Sequence, residues 1–173
     1  MAYHNRGAIV PNTGRTPETL NLSREPFTMT TKKTTPKETT KRLDGRKILI
    51  VDDDLDIRTS VETAFKYEGA ETISCSDGNS AVRLCADKKP ELVILDMMLP
   101  GRSGFLVLEK IKGYEDSPLV IMITANEGKR HKVFAEGLGA ELYLQKPVSL
   151  EILIESAVEL FENDENERSD DKE

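Results

Sequence analysis

The chain has 173 residues, of which 38% are hydrophobic, and its formal net charge is −7. This length fits one domain of roughly 100–200 residues with additional tails, and the hydrophobic content suffices for one core. No stretch approaches the roughly 18 apolar residues of a membrane span, and the N-terminus lacks the apolar region of a signal peptide, so we expect a cytoplasmic protein without membrane insertion.

Charge and composition divide the chain into three segments. Residues 1–46 contain nine Lys or Arg, four Asp or Glu and ten Thr. Such a segment cannot bury enough apolar surface to offset the entropy of ordering, so residues 1–45 are predicted to be a disordered basic arm, solvated rather than bound to nucleic acid. Residues 163–173 contain six acidic and two basic residues and are predicted to be a disordered acidic tail. The domain is therefore expected at residues 46–162.

Within the domain, apolar runs of strand length alternate with segments of helical periodicity. The predicted strands are residues 47–51, 70–74, 91–95, 119–123 and 140–144. The predicted helices are residues 54–67, 78–87, 103–112, 128–138 and 149–162. This alternation predicts an α/β fold in which a five-stranded parallel sheet carries helices on both faces.

Each predicted helix has apolar residues at helical spacing, which we expect to face the sheet. In helix order, these residues are Ile57, Val61, Ala64 and Phe65, then Ala81, Leu84 and Cys85, then Leu106, Val107 and Ile111, then Val133, Phe134 and Leu138, and finally Ile152, Leu153, Ala157 and Leu160. Asp77 is predicted to cap the second helix, and Asp54 and Asp56 are expected at the start of the first, where the helix dipole favours negative charge.

Polar residues follow four of the predicted strands. Asp52 and Asp53 follow the first strand, Asp96 the third, Thr124 the fourth and Lys146 the fifth. In an open parallel sheet, ligands bind outside the carboxyl ends of the strands, so these side chains should converge. Singly, each has an ordinary explanation as a turn, cap or solvated residue. Together, they indicate a functional site.

The chemistry of this set favours phosphoryl transfer. Carboxylates suit Mg²⁺, a hard cation that prefers oxygen ligands. A carboxylate such as Asp96 can also act as a nucleophile and form an acyl phosphate. Lys146 would neutralise developing charge, and the Thr124 hydroxyl could donate a hydrogen bond to a phosphoryl oxygen.

Residues 46–162 resemble a response-regulator receiver domain, the phosphoacceptor of two-component signalling. The resemblance rests on the motifs "ILIVDD", "LVILDMMLPGRSG", "VIMITA" and "GAELYLQKP", in this order. Pro100 and Gly104 follow Asp96 by four and eight residues, as in the family. The resemblance implies a flavodoxin-like (βα)5 receiver fold with strand order 2-1-3-4-5.

The resemblance also implies roles for individual residues. Asp96 would be the phosphoacceptor, and Mg²⁺ or Mn²⁺ would be bound by Asp52, Asp53, Asp96 and the backbone carbonyl of Met98. Lys146 would contact the phosphoryl group, and the Lys146–Pro147 peptide bond would be cis.

In the family, phosphorylation changes a surface through a switch pair, here Thr124 and Tyr143. The changing surface would be residues 125–160, which contain the fourth helix, fifth strand and fifth helix. The phosphodonor, a histidine kinase or a histidine phosphotransfer protein, would dock around Ile57, Arg58 and Val148.

Several functions remain open at this point. Because no output domain follows residue 162, we expect a stand-alone response regulator acting on a separate effector protein, or else a phosphorelay intermediate or phosphate sink. Such a protein is not an enzyme, since it catalyses only its own phosphorylation and dephosphorylation. Alternatives are a magnesium-dependent phosphohydrolase of the haloacid dehalogenase type, using Asp52 and Asp54, and a degenerate receiver that binds partners without phosphorylation.

Overall fold

The structure is a computed structural model that describes residues 41–125 and 128–170. Its elements in chain order are β1 Lys47–Val51, α1 Leu55–Tyr67, β2 Glu71–Cys75, α2 Gly78–Lys88, β3 Leu92–Asp96, α3 Gly104–Lys112, β4 Leu119–Thr124, α4 Lys129–Gly137, β5 Leu142–Gln145 and α5 Leu150–Asp170. Every predicted strand and helix is present. Their ends differ from the prediction by at most two residues, except at the end of α5.

The five strands form one parallel sheet in the order β2-β1-β3-β4-β5, which confirms the predicted fold. The apolar runs of β1, β3 and β4 are central and almost completely buried, as expected for strands covered on both faces. Val51 pairs with Leu95, and Asp96 pairs with Ile123. The carboxyl ends of the central strands therefore lie side by side.

Two hydrophobic clusters cover the two faces of the sheet. Successive residues of a strand point to opposite faces, so Ile48 and Ile50 of β1 belong to the cluster beneath α1 and α5. Leu49 and Val51 belong to the opposite cluster, which contains residues of α2, α3 and α4. No helix in the described part of the chain has both the length and the apolar character needed to cross a membrane.

Aspartates cap the first two helices. The Asp54 side chain accepts hydrogen bonds from the backbone N–H groups of Asp56 and Ile57, and Asp56 lies in the first turn of α1. The Asp77 side chain accepts equivalent bonds from Asn79 and Ser80 at the start of α2. The predicted positions of these carboxylates are thus confirmed, and each satisfies N–H groups that have no partner within the helix.

The N-terminal edge of the domain was predicted too late in the chain. Residues 41–45, expected to belong to the disordered arm, instead form a turn in which Leu43 is only 1% exposed. The Arg42 guanidinium donates hydrogen bonds of 3.0 Å to both carboxylate oxygens of Glu68. One apolar residue and one bidentate pair are too weak a pattern for sequence analysis to detect. The rest of the predicted arm lies outside the described residues.

The helix end predicted at residue 162 is also wrong. Residues 163–170, expected to form a disordered tail, continue α5, whereas residues 171–173 lie outside the described part. The segment contains no Gly or Pro, and Arg168 pairs with Asp164 one turn earlier at 3.0 Å. Arg46 adds a tertiary contact, because its guanidinium lies 4.4 Å from the centre of the Phe161 ring and pairs with Glu165.

Several apolar residues predicted to face the sheet are exposed instead. The exposed fraction is 67% for Val133, 54% for Phe134, 53% for Leu106 and 52% for Ile152. Ala135 and Leu108, which were not predicted to face the sheet, are buried, and Leu153 is buried as predicted. Where apolar residues are consecutive, helical periodicity cannot determine which of them faces inward. Ile57 of α1 is also exposed, whereas Val61, Phe65, Ala81, Cys85 and Ala157 are buried as predicted.

Candidate functional site

Three aspartates converge at the carboxyl ends of β1 and β3. One carboxylate oxygen from each of Asp52, Asp53 and Asp96 lies within 4.8 Å of the other two. Asp52 and Asp96 are buried, whereas Asp53 is exposed to solvent. This arrangement fits a hard divalent cation, because three oxygen donors surround one point that solvent can reach on one side. Bound there, Mg²⁺ would offset much of the negative charge of the three carboxylates and stabilise the oxygens of an incoming phosphoryl group.

Lys146 joins the two buried carboxylates. Its Nζ donates hydrogen bonds of 2.8 Å to Asp52 Oδ2 and 3.0 Å to Asp96 Oδ2. The residue follows β5, and its backbone N–H is held by the Thr124 carbonyl at 2.8 Å. The Lys146–Pro147 bond is cis, in agreement with the sequence prediction. The ammonium group therefore lies between the two buried carboxylates and contacts both.

The loop after β3 is held tightly around Asp96. The Met98 N–H donates to Asp96 Oδ1 at 3.2 Å, and the Gly104 N–H donates to the Met97 carbonyl at 2.9 Å. A Cβ atom on Gly104 would lie 2.4 Å from the Asp96 carbonyl oxygen, so only glycine allows α3 to begin here. The backbone of Met98 thus lies beside the carboxylate, and the role of its carbonyl as a metal ligand stays a prediction.

The predicted switch residues lie in adjacent strands, β4 and β5. Thr124 is completely buried, and its hydroxyl contacts the Met97 sulfur at 3.6 Å. Tyr143 is partly buried against the cluster beneath α2, α3 and α4. Burial raises the pKa of the Tyr143 phenol, and a hydrogen bond with Thr124 acts in the opposite direction. The two side chains are therefore already in contact.

The pKa values of Asp96 and Lys146 are both raised. Burial is the largest cause for Asp96, and the neighbouring Asp52 adds to it, whereas Lys146 and the Met98 N–H lower the pKa. For Lys146, burial favours the neutral amine, but the hydrogen bonds and charges of the two aspartates outweigh it and raise the pKa. The ammonium is thus firmly held, while one buried carboxylate is left in an unfavourable environment that a cation would relieve.

The three predicted docking residues have unlike environments. Ile57 and Val148 line a groove of about 580 Å³ between α1 and the segment after β5, together with Pro147 and Leu150. Arg58, in contrast, donates a hydrogen bond of 2.6 Å from Nη1 to the backbone carbonyl of Asp52. Sequence analysis did not identify this contact, because an arginine on an exposed helix normally extends into solvent.

Sequence analysis did not predict the apolar part of a surface on α4 that is both apolar and basic. We call it the α4 patch, and it consists of Lys129, Arg130, Val133, Phe134, Gly137 and Leu138. The Phe134 ring packs edge-on against Phe105 of α3, with ring centres 5.0 Å apart. The signal was present as the basic run before Val133, but these apolar residues were assigned to the core.

Comparisons with known proteins agree with this geometry. The sequence model of the response regulator receiver domain family matches residues 48–158, which include every strand-end residue described above. The fold is similar to that of a CheY-like response regulator receiver domain protein from Methanospirillum hungatei JF-1. The two sequences are 29% identical, and the TM-score is 0.69 over 72% of this chain and 99% of that one.

Two further solved structures are similar. One is the receiver domain of the Francisella response regulator 1452, with 28% identity and a TM-score of 0.63 over 67% of this chain and 95% of that one. The other is NtrX from Brucella abortus, with 33% identity and a TM-score of 0.67 over 72% of this chain and 28% of that one.

Proposed function

The chain belongs to the response regulator receiver domain family, and we propose that it accepts a phosphoryl group on Asp96 and signals through a surface formed by α4, β5 and α5. The observation that carries this proposal is the double contact of Lys146 with Asp52 and Asp96, in a site where Asp53 completes three oxygen donors. The proposed nucleophile Asp96 therefore lies next to the proposed cation ligands Asp52 and Asp53, and the ammonium group of Lys146 is close enough to offset negative charge. Phosphoryl transfer depends mainly on such positioning and charge neutralisation.

In the proposed reaction, a phosphohistidine of a histidine kinase or histidine phosphotransfer protein is the donor. An Asp96 carboxylate oxygen forms a bond to phosphorus while the bond between phosphorus and the imidazole nitrogen breaks. The imidazole retains the electron pair of that bond and takes a proton from solvent. Lys146, already within 3.0 Å of Asp96 Oδ2, would turn toward the phosphoryl oxygens and stabilise their charge.

The switch in this proposal begins at Thr124. In the unphosphorylated protein its hydroxyl contacts the Met97 sulfur, a weak acceptor, at 3.6 Å, and it also shares a hydrogen bond with Tyr143. A phosphoryl group on Asp96 adds strong acceptors and close to two negative charges. Thr124 would exchange its partner for a phosphoryl oxygen, and Tyr143, which contacts Thr124, would move with it.

The α4 patch supports the proposed signalling surface. Val133 and Phe134 are more than half exposed, and Lys129 and Arg130 lie beside them. Exposed aromatic and aliphatic side chains next to basic groups suit a separate effector protein with an acidic and apolar contact surface. Donor docking at the groove of Ile57 and Val148, with Arg58 nearby, and a cytoplasmic location belong to the same proposal.

The haloacid dehalogenase alternative is disfavoured by Asp54. Its carboxylate caps α1 by accepting two backbone hydrogen bonds, at 2.8 Å from Asp56 and 3.1 Å from Ile57. Its carboxylate is therefore engaged by the helix rather than available as an acid or base beside Asp52. A hydrolase of that type would need Asp54 in the site.

Phosphorylation by a small donor tests the proposal. The protein is incubated with acetyl phosphate and Mg²⁺, and modified chains are separated by phosphate-affinity electrophoresis. We expect a stoichiometric shift that disappears with EDTA and in Asp96→Ala, but persists in the control Asp116→Ala, whose side chain is 87% exposed. Multiple-turnover hydrolysis of unrelated phosphomonoesters would instead support the hydrolase, and absence of modification would support the degenerate receiver.

The signalling surface is tested separately by NMR. Backbone amide shifts of the phosphorylated and unmodified protein are compared across residues 128–160. Changes concentrated in α4, β5 and α5 are expected. Identical shifts in these elements, with Asp96 demonstrably phosphorylated, would remove this surface from the proposal.

A further inference from the structure

Arg58 binds the backbone of the acidic loop although it lies on the surface helix α1. Its Nη1 donates a hydrogen bond of 2.6 Å to the carbonyl oxygen of Asp52, and the side chain is only partly exposed. This carbonyl belongs to the peptide unit that joins Asp52 to Asp53. A group that binds this carbonyl therefore restricts the orientation of the Asp52–Asp53 peptide plane, and with it the relative directions of the two side chains.

The orientation of that peptide unit matters for cation binding. Successive side chains of an extended strand point to opposite faces, which would separate neighbouring carboxylates. Here β1 ends at Val51, and the carboxylate oxygens of Asp52 and Asp53 lie within 4.8 Å of one another. The backbone bends at Asp53, and the new orientation of the chain needs contacts that maintain it.

A closed set of hydrogen bonds provides these contacts. The Asp54 N–H donates to Asp52 Oδ1 at 3.0 Å, and the Arg58 N–H donates to the Asp54 carbonyl at 3.0 Å. The Arg58 side chain then returns to the Asp52 carbonyl, while the Asp52 N–H donates to the Cys75 carbonyl at 3.3 Å. Asp52 is thus held on both sides of its backbone, and Arg58 supplies the link from the helix.

We propose that Arg58 is a positioning residue for the cation site, which it supports by holding the Asp52–Asp53 peptide in the orientation that brings both carboxylates to one point. The inference rests on the magnesium site of the proposed function. It assigns Arg58 a role in the free protein, separate from any contact with a phosphodonor. Groups that orient metal ligands typically contribute about tenfold or more to metal affinity.

The sign of the effect separates this role from a purely electrostatic one. A guanidinium near the site repels a divalent cation, so its removal would strengthen Mg²⁺ binding if charge alone mattered. If positioning dominates, the same removal weakens binding, because Asp53 loses its fixed direction. The two explanations therefore predict opposite changes for one substitution.

Calorimetric titration of the full, unphosphorylated chain with MgCl2 alone tests the inference. Arg58→Met keeps much of the aliphatic length but has no donor, and we expect its dissociation constant for Mg²⁺ to rise about tenfold. Arg58→Lys keeps a donor and the charge and should bind closer to the wild type than Arg58→Met does. Arg83→Met is the control, since Arg83 is exposed on α2 and contacts Ser80 rather than the acidic loop.

The possible results separate the inference from the proposed function. If the wild type binds Mg²⁺ and Arg58→Met binds it as tightly or more tightly, the positioning role is refuted. An equal loss in Arg83→Met would also refute it, because the effect would not be specific to the Asp52 carbonyl. If the wild type itself binds no Mg²⁺, the proposed function fails first. Should Arg58→Met fail to fold in thermal melts, Arg58→Gln, which is too short to reach the carbonyl, replaces it.

Discussion

Neutralising Asp96, the proposed phosphoacceptor, should stabilise the metal-free protein. The substitution Asp96→Asn retains the size of the side chain and an oxygen that can accept the Met98 N–H, so packing changes little. It removes a charge whose pKa is raised, chiefly by burial and further by Asp52. A carboxyl group with a raised pKa is less favourable as an anion in the folded protein than in the unfolded chain, so its ionisation lowers stability.

The expected change in the free energy of unfolding is the balance of three contributions, of which two disfavour the Asp96 carboxylate and one favours it. With an effective dielectric constant of about 20, repulsion from Asp52 at up to 4.8 Å amounts to about 3.5 kcal/mol. Attraction to Lys146 at 3.0 Å amounts to about 5.5 kcal/mol on the same scale. Burial of the carboxylate adds an unfavourable contribution of several kcal/mol. Asp96→Asn should therefore increase the free energy of unfolding by about 1–2 kcal/mol, or roughly 5 °C in Tm.

Thermal and urea unfolding in EDTA measure this difference. The gain should be present at pH values where the Asp96 carboxylate of the wild type is ionised, and it should disappear as the pH falls through the raised pKa of Asp96 toward the ordinary range of an aspartate, about 4. Mg²⁺ should stabilise the wild type more than the variant, and Asp116→Asn should stay within about 0.5 kcal/mol of the wild type. A folded Asp96→Asn protein that is no more stable than the wild type at pH 7.5 would refute the reasoning.

Three further predictions concern the loop, the switch and the last helix. Gly104→Ala should destabilise the protein by about 3 kcal/mol or more in urea unfolding, because its Cβ would lie 2.4 Å from the Asp96 carbonyl oxygen, whereas Gly137→Ala, which meets nothing within 4 Å, should stabilise it by up to about 1 kcal/mol. Thr124→Ala should still be phosphorylated, but with the NMR shift changes in α4 and β5 reduced by at least about half; undiminished changes would contradict the switch. Arg46→Gln should accelerate amide hydrogen exchange about fivefold at the end of α5, since it removes a cation–π contact and a surface ion pair; exchange as slow as in the wild type would contradict this.

The sheet and its acidic edge were predictable because their signals are redundant. Each central strand is a continuous apolar run, and the parallel arrangement follows from the alternation with helices. Once the strands are parallel, Asp52 and Asp96 must lie at the same edge, whatever the detailed loop conformation. Errors of one or two residues in the strand ends do not affect this conclusion.

The outer surface was less predictable, because it depends on small rotations and on single tertiary contacts. In α4, Val133, Phe134 and Ala135 are consecutive, and only packing against the sheet decides that Ala135 is buried while the two larger side chains are exposed. The continuation of α5 depends partly on Arg46, which is more than a hundred positions from Glu165 in sequence. Neither local propensity nor periodicity contains that information.

The cluster of aspartates after β1 contains one feature that the sequence predicts and one that it does not. The caps formed by Asp54 follow from local rules, since its side chain needs only the two N–H groups that come next along the helix. The close approach of Asp52 and Asp53 does not follow from local rules, because neighbouring like charges repel and an extended chain would separate the two side chains. Lys146, held by the far strand β5, and Arg58, held by α1, bring opposite charge to the two ends of Asp52, one at its carboxylate and one at its carbonyl. The proposed cation site at this edge therefore depends on the packing of α1 and β5 against β1 as much as on the three carboxylates. For this reason the candidate ligands can be predicted from the sequence, whereas the contacts that orient them cannot.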